Sequence, residues 1–145
     1  MKELNLNNFN TNNVNNISSM FNGCSSLKKL NINNFNNNVT DLSWMFNRCY
    51  SLKGLNLDNF NTNNVTNMRC MFHICSSLKE LNLSNFNTNT VTNMRCMFFK
   101  CSDELKLKIK SQYKNFQEMA FYDDNSEDDN SEDDNYEDDN SEDDN

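Results

Sequence analysis

Residues 55–80 read LNLDNFNTNNVTNMRCMFHICSSLKE and residues 81–106 read LNLSNFNTNTVTNMRCMFFKCSDELK. The two align without a gap. Two more copies precede them, LNLNNFNTNNVNNISSMFNGCSSLKK at 4–29 and LNINNFNNNVTDLSWMFNRCYSLKG at 30–54. Four copies of 26, 25, 26 and 26 residues therefore follow one another with no linker. The residue missing from 30–54 falls in the Asn-rich stretch after Phe35, where a loop absorbs it. Repetition at this period implies units that cannot bury an apolar face alone and must stack on their neighbours.

Within each copy the hydrophobic period changes halfway, which predicts a strand followed by a helix. In the first half Leu27, Leu30, Ile32 and Phe35 fit L-x-x-L-x-L-x-x-F, as do Leu52, Leu55, Leu57 and Phe60, then Leu78, Leu81, Leu83 and Phe86. In the second half the apolar residues step by three and four. Val65, Met68, Met71 with Phe72, and Cys75 make one helical face, repeated by Val91, Met94, Met97 with Phe98, and Cys101. Thr66 or Asn64, and Thr92 or Asn89, are the expected N-caps. The predicted fold class is an α/β solenoid of leucine-rich-repeat type, with four strand-helix repeats over 1–106.

After the fourth copy, SDELKLKIKSQYKNFQEMAFY (102–122) places Leu105, Ile109, Tyr113, Phe116 and Ala120 on one helical face. Ser102 and Asp103 are good helix starters, with Asp103 and Glu104 in the favourable first turn. This segment is expected to be a capping helix over the last coil; a basic amphipathic helix for a membrane or a partner is the alternative. Residues 123–145, built from SEDDN-type pentads, have too little apolar content to fold and are expected to be disordered. At the other end Leu4, Leu6, Phe9, Val14 and Met20 have no preceding coil over them, so self-association through this uncapped N-terminal face is expected.

The signature V-T-N-M-x-x-M-F-x-x-C-x-S-L, with LNLSNFNTNTVTNMRCMFFKC at 81–101 led in by SSLKELNL, resembles the 26-residue repeat of BspA-like leucine-rich-repeat surface proteins. The resemblance covers about residues 1–106. It implies a right-handed leucine-rich-repeat solenoid used in attachment to host proteins or other cells, without catalytic residues. It also implies a cell-surface or secreted location, although the chain shows no secretion signal, lipidation cysteine or cell-wall anchor.

Charge is divided along the 145 residues. Residues 123–145 hold 14 of the 21 acids, leaving 7 acids against all 13 Lys and Arg in 1–122. The body is thus +6 and the tail −14. Hydrophobic content is 36%, Asn alone supplies 33 residues, and there are two glycines and no proline, which excludes collagen-like, Gly/Ser-linker and Pro-rich classes. No apolar run reaches the roughly 18 residues a membrane span needs.

Cys24, Cys49, Cys75 and Cys101 fall in one column and read as a buried, reduced ladder. Cys70 and Cys96 form a second pair one period apart. Neighbouring coils about 5 Å apart would allow a Cys70–Cys96 disulfide in an oxidising compartment. The C-x4-C spacing directs its thiols to different helical faces, and His73, the one histidine, has no partner, so no metal or cofactor is expected. Neither a triad, a carboxylate pair nor a Gly-rich phosphate loop can be assembled, and the chain is read as not an enzyme.

Binding remains. With the strand Leu and Ile side chains inward, the sheet face displays Glu3, Lys29, Gly54 and Glu80 in one column. Asn5, Asn31, Asn56 and Asn82 form the next, and Asn7, Asn33, Asp58 and Ser84 a third. The candidate binding face is Lys29, Asn31, Asn33, Asn56, Asp58, Glu80, Asn82 and Ser84, with the Asn column open to a second role as a self-bonded amide ladder. A basic column, Lys2, Lys28, Lys53 and Lys79, suits an acidic partner, the chain's own tail included. Nucleic acid is disfavoured, because the tail competes for the same surface and the aromatics are assigned to core columns. The functional expectation is a non-enzymatic protein-protein interaction module with an unidentified protein ligand. The alternatives are an intracellular scaffold worked by its acidic tail and a truncated remnant of a longer surface protein.

Overall fold

The computed structural model describes residues 2–33, 35 and 38–123. Of the expected tail only Asp123 falls among them, and it is exposed; 124–145 lie outside the described residues.

Each L-x-L motif forms a short parallel strand at the expected place. Strand β1 (Glu3–Asn5) pairs with β2 (Lys29–Asn31), placing Leu4 opposite Leu30, and β3 (Gly54–Leu55) pairs with β4 (Glu80–Leu81), placing Leu55 opposite Leu81. These are two separate two-stranded sheets, though β2 and β3 are neighbours. Asparagine explains why the strands are so short. The Oδ1 atoms of Asn5, Asn56 and Asn82 accept from the backbone N–H two residues on, at Asn7, Asp58 and Ser84. Such Asx turns bend the chain out of the extended conformation. Asn5, Asn56 and Asn82 of the Asn column are thus turn-formers whose Oδ1 atoms serve local backbone N–H groups.

The second half of each repeat is not a helix. In a helix every N–H reaches the carbonyl four residues back. Here N–H groups alternate between the carbonyl three residues back and a carbonyl of the next repeat. The N–H groups of Met71, His73 and Cys75 bond to Met68, Cys70 and Phe72, at 3.1–3.3 Å, while those of Cys70, Phe72 and Ile74 bond sideways to Arg95, Met97 and Phe99, at 2.8–3.0 Å. The alternation needs left-handed backbone at two points per repeat. One column is Ser19, Trp44, Cys70 and Cys96, with φ 55–60°; the other is Gly23, Arg48, Ile74 and Lys100, with φ 57–76°. Left-handed backbone costs a non-glycine residue roughly 1–2 kcal/mol, so the sideways bonds offset a real penalty.

The α/β solenoid of four strand-helix repeats is therefore not what the chain forms. Among the described residues there is one α-helix, α1 (Asp103–Gln112), outside the repeats, and the rest is largely turn and irregular chain. The three-and-four spacing of apolar residues arises because each run of tight turns returns every third or fourth side chain to the core. The N-caps expected at Thr66 or Asn64 and Thr92 or Asn89 have no helix to cap. Instead Thr66 and Thr92 donate their hydroxyls to the carbonyls of Thr40 and Thr66.

Repeat nonetheless meets repeat in register. Parallel bridges link Asn16, Asp41, Asn67 and Asn93 in sequence. Phe21, Phe46, Phe72 and Phe98 stack face to face, with centroids 5.5–5.7 Å apart and planes within 7°. The thiols of Cys49, Cys75 and Cys101 each donate to a Phe carbonyl of the preceding repeat, Phe21, Phe46 and Phe72, at 2.9–3.2 Å. Burial gives these groups a core, and the thiol bonds satisfy carbonyls the core would otherwise strand.

Helix α1 starts as its sequence predicts, with Ser102 Oγ accepting from Leu105 N–H. It ends at Gln112, short of the span expected for 102–122, and Phe116, Ala120 and Phe121 reach the core through irregular chain and a 3-10 turn at Glu118–Ala120. That turn gives the fourth repeat its sideways partners: Cys96 and Phe98 N–H bond to the carbonyls of Met119 and Ala120. At the opposite end Phe9 and Met20 stay 61% and 45% exposed beside a cavity of about 400 Å³ lined also by Val14, Ile17 and Phe35. No helix among the described residues is long and apolar enough to cross a membrane.

Candidate functional site

The strands place their outward side chains around a shallow groove of about 520 Å³. Six of the eight residues of the candidate face line it: Lys29, Asn31, Asn56, Asp58, Glu80 and Asn82. Leu30, Leu55 and Leu81 also line it, although Leu30 and Leu55 turn their side chains into the core, and Gly54 adds no side chain. A Cβ at Gly54 would come within 3.2 Å of the Glu80 Cβ, so glycine there lets β3 and β4 approach closely. The remaining two residues are engaged elsewhere. Asn33 N–H donates to Asn7 Oδ1, and Ser84 N–H closes the Asx turn on Asn82.

One wall comes from outside the repeats. Gln112 and Tyr113, at the end of α1, complete the groove. The Tyr113 hydroxyl accepts from Leu83 N–H at 3.1 Å and donates to Asn82 Oδ1 at 3.3 Å. Sequence reasoning gave Tyr113 a core role, because it continued the 105/109/113 face; the helix ends there and the ring turns half out. The groove thus offers carbonyl, amide and carboxylate acceptors at one level and a phenol at another. That combination suits an extended polar chain.

The Lys column is exposed throughout. Its backbone stacks in pairs, with Lys28 N–H on the Lys2 carbonyl and Lys79 N–H on that of Lys53, both 2.8 Å. The Cys ladder differs from expectation at one end: Cys24 is half-buried, whereas Cys49, Cys75 and Cys101 are buried. Desolvation pushes the thiols of Cys49 and Cys101 up to about 12 and that of Cys75 higher still. Cys70 and Cys96, free thiols only 2% and 3% exposed, hydrogen-bond to each other. Burial raises both, Cys70 to about 12, with Arg69 opposing the rise.

A second surface was not anticipated. Trp44, His73 and Phe99 form a half-buried aromatic row, with Trp44 edge-on to His73 at 5.6 Å and His73 stacked on Phe99 at 5.4 Å. These aromatics are not core, contrary to the sequence reading. His73 Nδ1 lies 2.8 Å from Asn47 Oδ1, and Asn47 donates to Asn22, so the ring donates from Nδ1. Burial, then Arg48, holds the imidazole down at about 4, and the ring is neutral at pH 7. Among the described residues no cluster of three or more His, Cys, Asp and Glu could hold a metal ion.

Residues 1–113 match the model of a family described as Mycoplasma protein of unknown function, DUF285. No curated protein and no solved structure matches the chain.

Proposed function

We propose a function from the premise that the chain belongs to the DUF285 family: it is a non-enzymatic binding module whose groove takes a segment of a protein ligand. The groove itself carries the reading. Six polar side chains at or just beyond three neighbouring strands, β2 to β4, converge on one groove, and Tyr113 closes the end. An extended peptide laid across the strands would meet an amide or carboxylate at each repeat, a mode in which repetition supplies affinity. The BspA-like character of the repeat signature favours attachment to host proteins or other cells as the use to which such binding is put.

The test is selection of peptides from a displayed random library on the full chain. Selected peptides should lose on the order of tenfold or more in affinity for Asn56→Arg and Asn82→Arg, which fill the groove. They should bind Lys53→Gln, at the edge, unchanged. Peptides insensitive to both groove substitutions would refute the reading.

A further inference from the structure

The sequence has three arginines: Arg48 and Arg69 act electrostatically on His73 and Arg95 on Cys96, and none lines the groove. The repeat register explains the clustering. Ser43, Arg69 and Arg95 share one column, and Arg48, Ile74 and Lys100 share another. Asn47, His73 and Phe99 form a third. Lys100 Nζ sits 5.5 Å from the Phe99 centroid, and the arginines are half-buried. Guanidinium groups near an aromatic row make a surface for carboxylates, because the planar fork donates to both oxygens at once.

The end of the described chain acts on it. The Met119 and Ala120 carbonyls accept from Cys96 and Phe98 N–H of the fourth repeat, Phe121 stacks on Phe98, and Tyr122 turns toward Lys110 of α1, leaving Asp123 as the last described residue. Asp123 acts electrostatically on both His73 and Cys96, across the middle of the strip. Residues 124–145 follow, with 13 acids and no base. Each pentad carries three consecutive acids and, extended, covers about 16 Å. The ring row from Phe99 through His73 to Trp44 steps 5.4 and then 5.6 Å, so one pentad spans it.

We propose that this strip is the docking site of the chain's own acidic segment, residues 124–145, whose carboxylates pair with Arg48, Arg69, Arg95 and Lys100. Two observations select this occupant over the Lys column: the electrostatic reach of Asp123, the last described residue, to His73 and Cys96, and guanidinium chemistry suited to carboxylates. His73 is neutral and contributes only ring surface. The repeated pentads give several equivalent occupants at one site, so binding survives the loss of any one pentad. The strip and the groove share no residue, so this proposal stands apart from the groove's function.

Trp44 is the only tryptophan, and it reports on the strip directly. The experiment compares the native chain with a full-length variant in which every Asp and Glu of 124–145 is replaced by Asn or Gln. A synthetic peptide of 124–145 is titrated into each while Trp44 fluorescence and the arginine Nε–H resonances are followed. The neutralised chain should bind the peptide saturably, shifting Trp44 and the arginine signals toward their native values. The native chain should bind on the order of tenfold or more weakly, because the tethered copy fills the site at about millimolar effective concentration. Raising salt from 0.1 M to 1 M should abolish binding, since screening shortens from about 10 to about 3 Å. Arg69→Gln with Arg95→Gln in the neutralised chain should remove it, with the melting curve as the control for folding. Should that pair fail to fold, Arg95→Lys, which keeps charge but loses the fork, should weaken it several-fold. Equal peptide affinity in the native and neutralised chains would overturn the proposal, as would shifts confined to the Lys2, Lys28, Lys53 and Lys79 signals. Binding in the native chain that depends on protein concentration would assign the segment to a second molecule and overturn it equally.

Discussion

Replacing the phenylalanines of the stacked column one at a time by leucine separates ring stacking from simple burial. Leucine keeps most of the apolar volume, so the packing loss alone is below about 1.5 kcal/mol. Each stacked pair adds about 0.5–1.5 kcal/mol beyond burial. Phe21 has one stacked ring partner, Phe46, while Phe72 lies between Phe46 at 5.5 Å and Phe98 at 5.7 Å. Phe21→Leu is therefore expected to cost about 1–2 kcal/mol and Phe72→Leu about 2–4 kcal/mol. Urea unfolding followed by Trp44 fluorescence and far-UV circular dichroism measures both, and an unchanged slope against urea keeps the comparison valid. A double-mutant cycle sharpens the test. Phe46 with Phe72 should couple by about 0.5–1.5 kcal/mol, whereas Phe21 with Phe72, one ring apart, should add to within about 0.5 kcal/mol. Equal losses at both positions, or equal coupling in the two cycles, would show that the rings act as independent fillers.

Three further outcomes are expected. At pH 8 a maleimide should label the half-buried Cys24 first and the five buried thiols only on unfolding, since burial both blocks access and raises those thiols, Cys49, Cys70 and Cys101 up to about 12; six fast equivalents would contradict this. His73 should titrate near 4, below its ordinary 6.5, because burial and the Arg48 charge oppose its proton. The unfolded chain then binds the extra proton between those values, so this contribution to stability is complete above pH 6.5 and lost as pH falls toward 4. His73→Asn should flatten that slope, and a ring titrating by NMR at 6–7 would defeat the assignment. Phe9→Ser with Met20→Ser should shift any concentration-dependent sedimentation toward monomer, because these side chains remain exposed at the first repeat; unchanged self-association would place the contact elsewhere.

The repeat, its register and most core columns are readable from residue spacing, because a column needs the same side chain at the same phase in each copy. The helix was misread for a definable reason. Tight turns returning every third or fourth residue mimic helical phase, and the sign of φ is invisible when Trp44, Cys70, Ile74 and Lys100 rather than glycine hold the left-handed positions. Gly23 was the one visible hint, since it aligns with Arg48, Ile74 and Lys100. The groove face was legible except for its wall, where the turn after α1 swings Tyr113 out of a face that periodicity assigned to the core. The arginine strip was missed because its three arginines lie in two different columns and come together only when the turns fold. The asparagines were read as a ladder across repeats because stacking alone suggests it; the i, i+2 spacing of Asn67 to Arg69 and Asn93 to Arg95 was the local signal for Asx turns.

The alternation of short turns with sideways hydrogen bonds sets how this chain finds its structure. A helix can begin on local bonds alone, but here half of the N–H groups in each turn run have no acceptor until the next repeat has arrived, 24–25 residues later along the chain. The loop closed at every step is nearly the same length, so the entropic cost of adding one repeat to a formed pair does not grow with the number already in place. The slow event is bringing the first two repeats together; growth afterwards is a zipper with a fixed tooth spacing. Phe46 and Phe72, in the middle of the column, are the natural place for that first contact. Substitutions there should slow folding, whereas substitutions at Phe21 should chiefly speed unfolding.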